Sequence, residues 1–242
     1  MVAPPWVREQ KPLAANEARV CWLDTRNVTA KSLLAWLDIL DEDERRRAAA
    51  FRQDQDRHDY LCAHILRRLA LSEACGHPPA SWRFVTPPGN KPRVVAPQHI
   101  ETSLSHTTRL VAVALSAHCP VGVDVEQADI PEALAPVICS RQEQHDLPVC
   151  AADRQAALRA CWALKEAASK VGGQGLKLSP AQMHVFRSDT PHCLLAEAGR
   201  PPAWQGWLLQ ASPWALALAT TVSAAVHPRF NGLSTLPAAK GW

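Results

Sequence analysis

Two long stretches of helical periodicity organise the chain, about Asp54 to Ala74 and Asp153 to Val171. In the first, Tyr60, Leu61, Ile65, Leu69 and Leu71 are the apolar positions, and Gly76-His77-Pro78-Pro79 stops the helix. The second is ended by Gly172-Gly173. Each is preceded by a strand and short helices and followed by several short strands. The halves share this order of elements but no residue-level repeat. A chain so arranged is expected to be α+β, with two similar α/β lobes sharing a cleft. The division places an N-terminal lobe at 1–116, a C-terminal lobe at 117–228 and a tail at 229–242.

The shorter elements follow from local signals. Residues up to about 15 form a lead-in, and Val20–Leu23 is the first strand. Thr29 caps a helix running from Ser32 to Leu40, with Leu33, Leu34, Leu37 and Leu40 at helical spacing. Asp41, with Glu44 three residues on, opens a capping-box helix that carries Arg45, Arg46 and Arg47 and ends near Phe51. Strands are expected around Trp82–Val85 and Arg93–Val95, a turn at Ser103-Leu104-Ser105, and a buried strand at Leu110–Leu115. Two short helices cover Ile130–Ile138 and Ser140–Leu147. Strands near Met183–Phe186, Cys193–Ala196, Trp207–Gln210 and Trp214–Val222 follow.

Composition limits the function classes. With 242 residues and 47% hydrophobic content, the chain can bury a sizeable core. A formal charge of +3 is too small to argue for nucleic acid, though it allows a local basic patch. No apolar run has the length of a membrane span, and Leu216 to Val226 reads as a buried strand. Met1 to Gln10 has no signal-peptide apolar region, so the chain is expected in the cytoplasm. The eight cysteines form no C-x-x-C pair. Buried free thiols are therefore expected ahead of a disulfide framework or a zinc site.

The chemistry-bearing stretch is Val121-Gly122-Val123-Asp124-Val125-Glu126. Its period of two puts Asp124 and Glu126 on one face of a strand and Val123 and Val125 on the other. Paired carboxylates suit Mg²⁺ or Mn²⁺, with a substrate phosphate completing the shell. An ordinary half-buried strand with a solvated acidic face is the plainer alternative. In the second long helix, Trp162, Glu166 and Lys170 stand four apart and share a face, so Glu166 can join the two carboxylates. A surface Glu–Lys pair is the alternative there. His106 with Ser105 can bind phosphate or be structural. Lys91, the arginine run at 45–47 and Arg67-Arg68 are phosphate-binding candidates or solvated side chains. The chain lacks G-x-x-x-x-G-K-[ST], G-x-G-x-x-G after a strand, G-x-S-x-G and H-E-x-x-H.

In this order the pieces resemble the 4′-phosphopantetheinyl transferases of the surfactin-synthetase type. Gly122-Val123-Asp124-Val125-Glu126 is similar to that family's G-[VI]-D-[VI]-E strand. Trp162, Lys165, Glu166 and Lys170 are similar to its W-x-x-K-E-x-x-x-K helix. Ser103-Leu104-Ser105-His106, Asn90-Lys91-Pro92 and Gly173-Gln174-Gly175-Leu176 resemble three further motifs, and together they span roughly positions 45 to 185. Asn90 replaces a glycine of the family pattern, and Ile138-Cys139-Ser140 stands where a Phe-rich segment is expected.

The resemblance implies a pseudo-twofold fold and a reaction. The 4′-phosphopantetheine arm of coenzyme A moves to a serine of an acyl or peptidyl carrier protein, and adenosine 3′,5′-bisphosphate leaves. Carried over by position, Asp124, Glu126 and Glu166 hold Mg²⁺ against the pyrophosphate, with Mn²⁺ as a possible substitute. Glu166 accepts the serine proton, directly or through a water, and Lys170 serves the leaving phosphate. His106, Ser105, Lys91, Arg47 and Arg68 contact the phosphates of coenzyme A. A monomer is expected, with no nucleic acid or membrane partner, serving fatty acid, polyketide or nonribosomal peptide synthesis. A metal-dependent phosphoester hydrolase and a non-catalytic binding module for coenzyme A or a carrier are the alternatives. The hydrolase would modify no carrier, and the binding module would not need all four of Asp124, Glu126, Glu166 and Lys170.

Overall fold

Leu110 to Ser116 is buried at every position, because both faces of this strand are covered. Val111, Val113 and Leu115 point to one apolar cluster, while Leu110, Ala112 and Ala114 point to another. That arrangement recurs on the other side of the molecule. The computed structural model describes residues 12–173, 179–187 and 191–236. In chain order they form β1 (Glu17–Asp24), α1 (Ala30–Leu34), α2 (Glu42–Ala49), α3 (Asp54–Cys75), β2 (Arg83–Val85) and β3 (Arg93–Ala96). Next come β4 (Glu101–Thr107), β5 (Leu110–Ser116), β6 (Val121–Glu126), α4 (Ala135–Ile138), α5 (Arg141–His145) and α6 (Ala151–Val171). The last elements are β7 (Met183–Arg187), β8 (His192–Glu197), β9 (Trp204–Ala211), β10 (Trp214–Thr221) and β11 (His227–Leu233).

The fold is α+β. One sheet has the order β11-β1-β5-β4, a second β6-β10-β9-β8-β7, and β2 pairs with β3 alone. Helix α3 supplies Leu61, Ile65, Leu66, Leu69 and others to the cluster on one face of the first sheet. Helix α6 does the same for the second, where Ala215, Ala217 and Ala219 face it from β10. Alternate residues of both sheets, among them Val20, Ala112, Val123, Leu216 and Leu218, meet in a third cluster between them. A strand buried on both faces loses its polar alternation, which is why β5 and β10 read as continuous apolar runs.

The edges of the two sheets meet at β4 and β6 through side chains. Ser103 Oγ accepts the Val123 amide at 3.0 Å and Ser105 Oγ accepts the Val125 amide at 3.3 Å. The stretch expected as a turn is therefore strand β4. Its serines recur with period two and both face β6, whose edge amides they satisfy in place of a backbone ladder.

Helix α6 crosses β6 at backbone contact. A Cβ on Gly122 would stand 1.9 Å from the Ala167 carbonyl oxygen and 3.0 Å from the Val171 amide nitrogen. Ala163, Ala167 and Ala168 keep this helix face small, and all are buried. Glycine at 122 is thus required by the helix above the strand.

Other boundaries differ from the expectations in instructive ways. The helix expected from Ser32 to Leu40 is α1 followed by a 3₁₀ turn at Leu37–Ile39. Leu33, Trp36, Leu37 and Leu40 share a helix face, but the break lets Ile39 pack on the core as well. The capping box at Asp41 forms, with Glu44 N to Asp41 Oδ1 at 2.9 Å and Asp41 N to Glu44 Oε2 at 3.1 Å. Residues 229–233, placed in a tail by sequence, belong to β11, which pairs parallel with β1. Residues before 12 and the Gln174-Gly175-Leu176 part of one motif lie outside the described residues.

Gly122→Ala is expected to destabilise the chain by about 1–3 kcal/mol or more, because neither backbone can yield. Chemical denaturation measures it, and a variant as stable as the parent would mean that α6 does not rest on β6 as described.

Candidate active site

Strand β6 and helix α6 bring the acidic residues together. Asp124 is 6% exposed, and its Oδ1 accepts hydrogen bonds from Lys170 Nζ at 2.6 Å and Ser105 Oγ at 2.7 Å. Lys170 Nζ also donates to the Val123 carbonyl at 3.1 Å. Ser105 therefore takes a β6 amide on its oxygen and passes its own proton toward Asp124. The four-residue spacing predicted for Glu166 and Lys170 holds on α6, and Lys170 reaches down to β6 because Gly122 lets the helix lie close.

Glu166, half-buried on α6, has its pKa raised. Burial is the larger cause and the charge of Asp124 adds to it, while Lys170 opposes both. Glu126 turns back on its own chain, its Oε1 accepting the Gln127 and Ala128 amides at 2.8 and 2.9 Å.

The expected trio of Asp124, Glu126 and Glu166 is not drawn into one tight cluster. Among the described residues, the group whose ligand atoms all lie within 4.8 Å of one another is Cys139, Glu143 and Cys161. The physical reason is local: Lys170 neutralises Asp124, and two backbone amides hold Glu126. The donor chemistry nevertheless fits a hard divalent ion. All three are oxygen donors, and the contacts described take one oxygen each of Asp124 and Glu126, leaving the second.

The phosphate candidates separate into two groups. Arg47 and His106 are exposed and line a cleft of about 910 Å³, together with Tyr60, His64, Arg67 and Phe84. His106 and Leu104 occupy the cleft face of β4, opposite Ser103 and Ser105, as the period of two requires. Strand β4 thus connects the cleft to Asp124.

Arg68 and Lys91 do not line this cleft. Arg68, expected at a phosphate, is fully buried. It donates to Glu44 at 2.8 Å, Asp41 at 2.9 Å, and the carbonyls of Pro79 and Trp82 at 3.1 and 3.0 Å. It ties α2 to α3 and to the segment before β2. Lys91 Nζ donates to the Val121 carbonyl at 2.8 Å and faces Glu101 Oε2 at 3.6 Å, while its amide donates to the Gly173 carbonyl at 2.9 Å. It anchors the loop before β3 to β6 and to the end of α6.

Two basic side chains take places that the sequence pattern does not by itself assign. Arg67 lines the cleft, its guanidinium carbon 3.6 Å from the Phe84 ring centroid, and its buried Nε has no hydrogen-bond partner among the described residues. The signal was available: Tyr60, His64 and Arg67 stand at helical spacing on one face of α3. Lys165, part of the W-x-x-K-E match, is fully buried and donates to Glu143 Oε2 at 2.6 Å and the Ile138 carbonyl at 2.8 Å. It holds α4 and α5 against α6, one position before Glu166.

These observations define an α+β fold in which a glycine-bearing acidic strand and a Glu–Lys helix face adjoin a cleft lined by charges of both signs, Arg47 and Arg67 with Asp41, Asp43 and Glu44. Residues 120–219, which include β6 and α6, match the family model of the 4′-phosphopantetheinyl transferase superfamily. Among solved structures, the holo-[acyl-carrier-protein] synthase of Thermotoga maritima is similar at 24% identity with a TM-score of 0.37. The similarity covers 43% of this chain and 62% of that one. No curated protein matches the chain.

Glu44 organises the wall of the cleft and gives it a pH signature. Burial alone would raise its pKa, but the hydrogen bond from His64 and the charges of Arg68 and Arg67 outweigh that and hold it at about 2. Burial pushes His64 down to about 4. Both groups bind protons more weakly when folded. His64 therefore contributes stability that is complete above 6.5 and fades as pH falls toward about 4, and Glu44 contributes stability that is complete above 4.5 and fades toward about 2. Glu44→Ala should cost about 3–5 kcal/mol at neutral pH, since it strands buried arginines. Unfolding midpoints across pH should show the deficit shrinking on acidification below 4.5. A deficit independent of pH would exclude the ionised carboxylate as its source.

Proposed function

We propose that the chain transfers the 4′-phosphopantetheine arm of coenzyme A to a serine of an acyl or peptidyl carrier protein, releasing adenosine 3′,5′-bisphosphate. The observation that carries this reading is the contact of Lys170 with Asp124 beside Glu166, inside the segment matched by the transferase family model. Phosphoryl transfer asks chiefly for positioning and charge neutralisation, and this site offers carboxylates, the Lys170 ammonium and a cleft to which Arg47 and Arg67 contribute. The two halves, each a sheet covered by one long helix, are then read as pseudo-twofold lobes of the surfactin-synthetase type, acting as a cytoplasmic monomer.

Asp124, Glu126 and Glu166 would hold Mg²⁺ or Mn²⁺, whose charge would offset that developing on the pyrophosphate. Glu166 takes the proton of the carrier serine. Its raised pKa brings it toward neutrality, where a general base is most effective. Lys170, 2.6 Å from Asp124, serves the leaving phosphate. Arg47 and His106 hold coenzyme A phosphates in the cleft, with Ser105 keeping Asp124 in place. Arg67 joins them there, and its unpartnered Nε is suited to an anion.

Intact-mass spectrometry of an apo carrier domain incubated with the protein, coenzyme A and Mg²⁺ tests the reading. A mass gain equal to the phosphopantetheine arm, abolished by EDTA, is expected. Cleaved coenzyme A with an unmodified carrier would replace the reading by a hydrolase, and bound but intact coenzyme A by a binding module. Glu166→Gln should slow transfer by about 10²–10⁴-fold, the usual contribution of a general base. His106→Ala should raise KM for coenzyme A while kcat changes little. An unchanged KM would remove His106 from the phosphate site.

A further inference from the structure

On the far side of α6 from β6's carboxylates, a second group of side chains has the composition and spacing of a metal site. Cys139 closes α4, Glu143 lies on α5 and Cys161 on α6. The two sulfurs are 3.8 Å apart, and ligand atoms of all three residues lie within 4.8 Å of one another. Zinc–thiolate bonds of about 2.3 Å at a tetrahedral angle place two sulfurs about 3.8 Å apart. The thiols therefore already stand at the separation that a tetrahedral thiophilic ion requires.

The group is reachable. A cleft of about 420 Å³ is lined by Cys139, Glu143, Cys161 and His184, although the cysteines themselves are nearly closed to solvent. Glu143 is held rigidly: its Oε1 accepts the Val185 amide at 2.8 Å, and its Oε2 accepts Lys165 Nζ at 2.6 Å and the Ser140 amide at 2.7 Å. His184 stands beside it, with Nδ1 2.9 Å from Ser140 Oγ and 3.9 Å from Glu143 Oε1. Charge also balances. Two thiolates and the carboxylate, less the Lys165 ammonium, leave the charge that one divalent cation neutralises.

We propose that Cys139, Cys161 and Glu143 form a site for a thiophilic divalent ion of the zinc class, its fourth position open to the cleft. On binding, two S–H bonds break, two metal–sulfur bonds and one metal–carboxylate bond form in place of bonds from the ion to water, and two protons pass to solvent with no change in oxidation state. The ion would clamp α4 and α5 to α6 next to Lys165, one position from Glu166. The site is separate from the oxygen-donor trio and does not depend on the proposed transfer reaction.

Co(II) titration of the reduced full-length chain tests the site. An equimolar thiolate-to-cobalt charge-transfer band, with the visible bands of a tetrahedral centre, is expected, and Zn(II) should displace it and raise the unfolding midpoint. The band should vanish in Cys139→Ser and in Cys161→Ser and persist in Asp124→Ala. Circular dichroism confirms that each variant is folded, and the parent chain alone decides the main question. No charge-transfer band in the parent, or a band that survives either serine substitution in a folded chain, would overturn the site. Failure to bind cobalt, with loss of two hydrogens under a mild peroxide oxidant mapped by peptide mass to a Cys139–Cys161 cross-link, would instead assign the pair to disulfide formation.

Discussion

Everything that makes the proposed site possible depends on the backbone of α6 lying directly on β6. At the usual distance of a helix packed on a sheet, side chains fill the gap. Here Gly122 has none, and the Ala167 carbonyl occupies the place its Cβ would take. Close approach is what lets Lys170 reach Asp124 and the Val123 carbonyl from the last turn of the helix. It also brings Glu166 near enough to Asp124 for the two charges to feel one another. The alanines of α6 and of β10 serve the same contact, so the helix seats against a shallow surface along much of its length.

Around that contact, buried charges connect segments that apolar packing leaves loosely specified. Arg68 and Glu44 tie α2, α3 and the approach to β2; Lys165 and Glu143 tie α4, α5 and α6; Lys91 ties its loop to β6 and to the end of α6. Buried ion pairs of this kind add little net stability over apolar side chains of similar size, but losing one partner is costly. They therefore act mainly on geometry. Arg47 on the surface and Arg67, which pairs with Glu44 at 3.0 Å but keeps an unsatisfied Nε, face the open cleft.

How much of this was legible in the sequence depended on the range of the interaction. The Asp41–Glu44 capping box, the two long helices, the apolar β5 and the acidic alternation of β6 are set by neighbours within a turn or a strand, and each lies where periodicity put it. The Glu166–Lys170 spacing likewise needed only a helix. The protein partners of Arg68 and Lys91 are not legible in the sequence, because a basic residue on a helix or loop reads the same whether its partner is water, a phosphate, a carbonyl or a carboxylate from another segment. Ser103 and Ser105 looked like a turn for the same reason: the amides they satisfy belong to a strand about twenty residues on. The pairing of β11 with β1 joins the two ends of the described chain, which no local pattern announces.

The sequence by itself determined the α+β class, the principal helices and strands, and the residues able to carry phosphate chemistry, since those follow from period and side-chain type. Tertiary structure alone decided which of them meet. It set Lys170 on Asp124, enclosed Arg68 and Lys165, turned His106 to the cleft and Ser105 away from it, and gathered Cys139, Glu143 and Cys161 from three helices. The reason is physical: a titratable side chain acquires its role from the charges and donors within a few ångströms, and in this fold most of those come from distant parts of the chain.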